Sequence, residues 1–238
     1  MKTLPVFLFL AGGVALAQEG LPSVDQVLSK YVDGLGGKAA IEKVKTRSAK
    51  GSMELTDYGV TASFESLAKA PNQSISITTV DGYGVVRDAF DGQVAWTDNP
   101  ERGISEAKGV ELAQRKRGAD MYRALHFRDG YQSMAVTGKQ AVGGRDAFVV
   151  EATPAEGKPE KFLFDAESGL LVQVEAERPT ENGPMKATTT LADYKEVDGV
   201  KVPMTMKLQS QALNFVLRFS EVKTNVDIDD AKFKKPGQ

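Results

Sequence analysis

Between residues 161 and 219, apolar and polar side chains alternate with a period of two, and the alternation carries over from one stretch to the next. Val200, Val202, Met204, Met206 and Leu208 share one parity, and Lys201, Pro203, Thr205, Lys207 and Gln209 the other. Leu213, Phe215, Leu217 and Phe219 repeat the pattern, as do Leu170, Val172 and Val174. This is strand periodicity, so consecutive strands share one apolar face. The interruptions carry hairpin chemistry, DAESG at 165–169 and Asp198-Gly199. A one-faced antiparallel sheet follows, with its concave apolar side as the working surface.

The rest of the chain reads in the same grammar. Ser23-Val24-Asp25-Gln26 forms a capping box that starts a helix, with Val24, Val27, Leu28, Tyr31 and Leu35 on one side and Gly34, Gly36 and Gly37 at its end. A short turn over 39–44 leads into five candidate strands at 46–55, 60–69, 73–80, 83–90 and 93–97, separated by Gly, Asp and Pro clusters. Between residues 105 and 125 the alternation gives way to three- and four-residue spacing through Val110, Ala113, Met121, Ala124 and Leu125, which predicts a second helix with a weak point at Gly118. Its Arg115, Lys116, Arg117 and Arg123 read as a solvated face, or as a surface attracted to acidic partners or phospholipid head groups. Strands resume at 131–137, 147–153 and 160–165, three long ones follow, and 226–238 trails off in charge and proline. The count is about eleven strands with two helical segments.

The 238 residues hold no cysteine, which removes disulfides, thiolate metal sites and a lipid-bearing cysteine. Residues 1–17 read as a cleavable signal peptide: Lys2, an apolar run over 4–14, then Ala15-Leu16-Ala17. The run is shorter than the ~20 residues a bilayer span needs. The mature chain, 18–238, is therefore expected to be one exported domain without a lipid anchor, touching membranes at most peripherally. Its charge is near balance, formally −2, with no basic stripe for nucleic acid.

Motifs for catalysis are absent. His126 is the single histidine, and HExxH, GxSxG and phosphate-loop patterns do not occur. Most turn aspartates, such as Asp81, Asp91 and Asp198, stand beside glycine, where backbone hydrogen bonding accounts for them. No catalytic residue, metal or cofactor is expected, and the chain does not read as an enzyme. Candidate ligand-lining residues are apolar. Phe162, Phe164, Met204, Met206 and Phe215 suit an acyl chain because long flexible and aromatic groups adapt to it. Phe64, Ile75 and Ile77 share the apolar side of their strands, and Trp96 reads as core or lining. Met121 and Leu125 are candidates for a lid that fills the hollow when it is empty.

Four phrases in order, LPSVDQVLSKYVDGLGG, KAPNQSISI followed by FDGQVAW, FLFDAESGLLVQVE and DYKEVDGVKVPMTM, resemble the outer-membrane lipoprotein-sorting (LolA/LolB-like) superfamily over nearly the whole mature chain. The resemblance implies a mainly β, half-open antiparallel barrel of about 11 strands, with helices plugging or covering an apolar concave face. It also implies a periplasmic carrier or chaperone for lipid or the acyl chains of lipoproteins, with a lid-locking arginine that no motif places here. The alternative is an envelope sensory or scaffold module that holds a protein partner through a sheet edge, without lipid. A carbohydrate hydrolase would need two carboxylates facing the hollow. An outer-membrane barrel would need aromatic girdles, and this chain ends in FKKPGQ.

Overall fold

The computed structural model describes residues 20–178 and 183–237, and the signal segment read at 1–17 lies outside them. Helices α1 (Val24–Leu35) and α2 (Lys38–Lys43) precede a long meander. Its first strands are β1 (Thr46–Leu55), β2 (Val60–Lys69), β3 (Gln73–Val80), β4 (Gly84–Phe90), β5 (Ala95–Asn99) and β6 (Gly103–Glu106). Helix α3 (Gly109–Ala119) and a 3-10 turn, Phe127–Gly130, interrupt it. The second half is β7 (Ser133–Val142), β8 (Arg145–Thr153), β9 (Glu160–Asp165), β10 (Leu171–Arg178), β11 (Met185–Val197), β12 (Val200–Ser210) and β13 (Phe215–Thr224). All thirteen strands form one antiparallel sheet in the order β6 to β1, then β13 to β7, open between β6 and β7.

Thirteen strands rather than eleven correct the sequence count. Residues 185–197, MKATTTLADYKEV, carry a run of threonines instead of apolar alternation, and β6 is four residues of GISE whose second half overlaps the segment, 105–125, expected to be helical. That helix starts at Gly109 and ends at Ala119, beside the expected weak point at Gly118. The turn over 39–44 is a helix in its own right, so there are three helices where two segments were expected. At the N-terminus the capping box stands as read: Gln26 N–H donates to Ser23 Oγ at 3.2 Å and Ser23 N–H to Gln26 Oε1 at 2.8 Å. The Asp198-Gly199 hairpin has both residues at positive φ, 49° and 81°, as a tight primed turn requires.

Cross-strand pairing fixes which side chains share a face. One row runs Leu55–Phe215–Leu208–Thr189–Val174–Phe162–Val150–Val136, from β1 across to β7. Its far end, Phe162, Val150, Val174 and Val136, packs under Val27 and Tyr31 of α1. The apolar stripe of α1 thus covers β7 to β10 on this face. Helix α1 reaches the sheet closely because Gly36, at φ 122°, lies where a Cβ would meet Gly199 O at 2.0 Å.

Helix α3 covers the same face over the other half, where Leu112 and Ala119 pack on Phe90 and Ala95. The opposite face of β2 to β5 is covered by the C-terminal segment: Ile228 and Phe233 bury Leu67, Ile75, Ala89 and Trp96. The segment expected to trail off is therefore part of the core. Among the described residues no helix is long and apolar enough to cross a membrane.

Candidate functional site

The curvature of the sheet follows from what α3 touches. Arg115 donates to Asp88 Oδ1 (3.1 Å), Thr97 Oγ1 (2.7 Å) and Trp96 O (3.2 Å) on β4 and β5. Two residues on, Arg117 donates to Glu160 Oε1 on β9 at 2.8 Å, and Gln114 Nε2 donates to Glu177 O on β10 at 2.9 Å. Along the sheet, β4 and β9 are eight strand steps apart, a path of about 38 Å at ~4.8 Å per step. An 11-residue helix is only about 16 Å long. Both halves can reach α3 only if the sheet curls round it, so the helical face is concave.

Between α1 and α3 this face keeps apolar side chains that no helix cluster covers completely. Phe64 meets Phe219 edge-on at 5.9 Å across Gly51, and Met53, Leu217, Met206 and Leu191 form the next row. Phe64, Phe219, Met53, Met206 and Leu191 are all half-buried, and Leu217 lies beneath them. Gly51 has to lack a side chain, because a Cβ there would meet Arg218 O at 2.1 Å where β13 bulges. The result is a continuous apolar floor across β2, β1, β13, β12 and β11.

The floor changes character towards α3. A cavity of about 360 Å³ is lined by Arg47, Ser66, Ser74, Ser76, Asp88 and Arg115 among others. Arg47 lines this cavity and is open to solvent, while desolvation lowers its pKa and the neighbouring Tyr31 opposes that shift. The Arg47 side chain makes no hydrogen bond or ion pair among the described residues. Burial raises the pKa of Tyr31 on α1, against which the charges of Arg123 and Arg47 act.

On the other side of α3 lies a second polar group. Glu160, 6% exposed at its side chain, accepts from Arg117 and from the Tyr131 hydroxyl, both at 2.8 Å. Arg123 donates to Tyr131 Oη at 3.2 Å and lies over the rings of Phe127 and Phe162. Arg178, which continues the concave parity of Val174 and Ala176, has its pKa lowered by burial first, with Arg123 and Arg117 adding to it and Glu160 opposing. The basic run of α3 is therefore turned largely inward, which corrects the solvated face expected for Arg115 and Arg117.

The chain from 120 to 131 crosses the mouth beside these arginines. Met121 donates its N–H to Pro71 O at 2.9 Å and lines the serine-bearing cavity. Leu125 packs with Leu35, Ile41 and Leu170, and Phe127, 3% exposed, anchors the crossing against Phe162 at 4.9 Å. His126 sits outside, half exposed, paired with Asp120 at 2.9 Å. Among the described residues no three His, Asp or Glu side chains gather as a metal site.

The structure divides the residues selected from sequence. Phe64, Met206 and Phe215 lie on the open floor and Met204 is buried beside them. Phe162 and Phe164 share that face but form the core under α1 rather than a free lining. Ile75 and Ile77 do not share the face of Phe64, and of the two readings of Trp96 the structure gives the core: all three pack with the C-terminal segment on the opposite face, where Trp96 Nε1–H donates to Phe233 O at 2.9 Å. Sequence reading missed Arg47, Met53, Phe127 and Arg178. For Arg47, Met53 and Arg178 the signal was parity alone, since each stands in line with small or apolar concave residues.

This architecture is the LolA-like fold. A LolA superfamily protein from Nitrosomonas europaea is similar over 90% of this chain and 99% of its own, with a TM-score of 0.59 and 15% identity. A domain assigned to outer membrane lipoprotein sorting from Vibrio parahaemolyticus matches over 88% and 96%, with a TM-score of 0.60 and 14% identity. A DUF1329 family protein from Desulfovibrio piger matches over 89% and 97%, with a TM-score of 0.60 and 14% identity. No protein-family model and no curated relative matches the chain.

Proposed function

We propose that this chain is an exported carrier or chaperone that shelters the acyl chains of a lipid or lipidated protein on the concave floor of its open half-barrel. The observation that supports it is the half-buried row of Met53, Phe64, Phe219, Met206 and Leu191, apolar surface left uncovered between two helices. Removing a hydrocarbon tail from water is worth ~0.8 kcal/mol per methylene, so a sixteen-carbon chain offers on the order of 10 kcal/mol before ordering costs. Reversible carriage requires competition for that surface. The crossing segment is the proposed competitor: Met121 lines the cavity beside the floor, and Leu125 packs against Leu35 and Ile41 next to it. The fold shared with a lipoprotein-sorting domain agrees with this reading, and the reading carries with it a periplasmic location after removal of 1–17.

Capture of a protein partner on a sheet edge is less favoured. One free edge, β6, is four residues long, and the other, β7, is bulged between Val136 and Gly138; both features blunt strand addition. Native mass spectrometry on protein purified from its own cell envelope tests the proposal. Co-purifying lipid or acylated protein is expected, and a partner protein recovered without any acyl group would overturn it.

A further inference from the structure

Beneath α3, Arg117 bonds Glu160, Arg123 bonds the Tyr131 hydroxyl that donates to the same carboxylate, and Arg178 lies within reach of the charges of Arg117, Arg123 and Glu160. Glu160 accepts from Arg117 through Oε1 and from the Tyr131 hydroxyl through Oε2. Arg123 finds only that same hydroxyl and two aromatic faces. The Arg178 side chain makes no hydrogen bond or ion pair among the described residues, and the Nε of Arg117 is buried with no acceptor. Two further carboxylates, Asp120, bonded to His126, and Asp129, line the same cavity as Arg117 and Arg123 but accept from neither arginine.

Partly desolvated guanidinium groups with unsatisfied donors are unfavourable. Their fork of N–H groups matches an oxyanion that accepts from several donors at once. Arg178 also stands on the concave face, two and four residues beyond Ala176 and Val174, where the apolar surface ends. We infer that Arg117, Arg123 and Arg178 form a seat for an oxyanion, the phosphate or carboxylate head of an amphiphile whose tail lies on the apolar floor. The tail half of this assignment rests on the carrier reading, while the head half rests on the arginines alone.

A matched series separates the two halves: hexadecyl phosphate, hexadecanol and inorganic phosphate, measured by native mass spectrometry and thermal unfolding against the mature protein and Arg178→Met. Hexadecyl phosphate is expected to bind about tenfold more tightly than hexadecanol. Arg178→Met should bring the two within about twofold of each other by weakening only the phosphate. The variant without ligand should unfold at a higher temperature than the parent, because a partly desolvated cation beside Arg117 and Arg123 is gone; that outcome also certifies that it folds. Stabilisation of the parent, but not of Arg178→Met, by inorganic phosphate alone supports the seat with a free anion as its source. Equal binding of both hexadecyl probes in both proteins overturns the seat and leaves the carrier standing. Binding of phosphate but neither hexadecyl probe overturns the carrier and keeps the seat, and binding of none overturns both.

Discussion

Arg115 and Arg117 stand two positions apart on α3 and grip opposite halves of the sheet, Arg115 holding Asp88 on β4 and Arg117 holding Glu160 on β9. At 3.6 residues per turn they point about 200° apart, so one helix can tie both sides of the curl. The two grips differ in strength. Asp88 and Glu111, the carboxylates held by Arg115, are 45% and 41% exposed, whereas Glu160 is 6% exposed. Removing Arg117 strands a buried carboxylate and is expected to destabilise by about 3 kcal/mol; Arg115→Met should cost about 1 kcal/mol because water screens its partners. Urea unfolding of the two variants measures the difference, and equal losses would show that α3 is not held as described.

The single tryptophan reports on the C-terminal segment. Trp96 is 1% exposed and its indole N–H is bonded to the carbonyl of Phe233, itself 0% exposed. Phe233→Ala is expected to cost about 3–5 kcal/mol and to shift tryptophan emission to the red. An unchanged spectrum would show that the segment does not close that face.

Stability should fall in alkali. Burial raises the pKa of Tyr31, Tyr131 and Tyr194 above the ordinary tyrosine value near 10. Below pH ~10 both folded and unfolded chains keep these phenols protonated, and stability is unaffected by them. Above it the unfolded chain ionises first, so each buried tyrosine removes about 1.4 kcal/mol per pH unit until its raised folded value is reached. Absorbance titration should show part of the tyrosine signal appearing only together with unfolding, and smooth ionisation of all six tyrosines near pH 10 in folded protein would contradict it.

The crossing segment should compete with cargo. Met121→Asp and Leu125→Asp each place a charge where the segment turns inward, and Phe127 still anchors it. Stopped-flow release of a fluorescent acyl probe is expected to change several-fold in rate. Unaltered binding and release in both variants would remove the lid role.

Much of the scaffold was legible because alternation and turn chemistry are local. Ser23 and Gln26 announced α1, and Asp198-Gly199 announced the last hairpins. β11 escaped because threonines replaced apolar residues along it. The identity of each face was not local: Ile75 and Phe64 both belong to alternating strands, and only the register of β2 on β3 puts Ile75 opposite Leu67, under the tail, while Phe64 faces Thr78 inside. A bulge between Leu171 and Gln173 likewise sends Val172 to Leu163, away from Val174 with which it had been grouped. The arginines were visible as a basic run, but their inward direction depends on β4 and β9 meeting across α3.

The account turns on which face takes the hydrocarbon. A sixteen-carbon probe carrying a diazirine near its methyl end, irradiated with the mature protein and mapped by peptide mass spectrometry, reads this directly. Insertion at Met53, Phe64, Met206 or Phe219 is the expected result. Insertion confined to Ile77 and its neighbours under the C-terminal segment, or none at all, would contradict it.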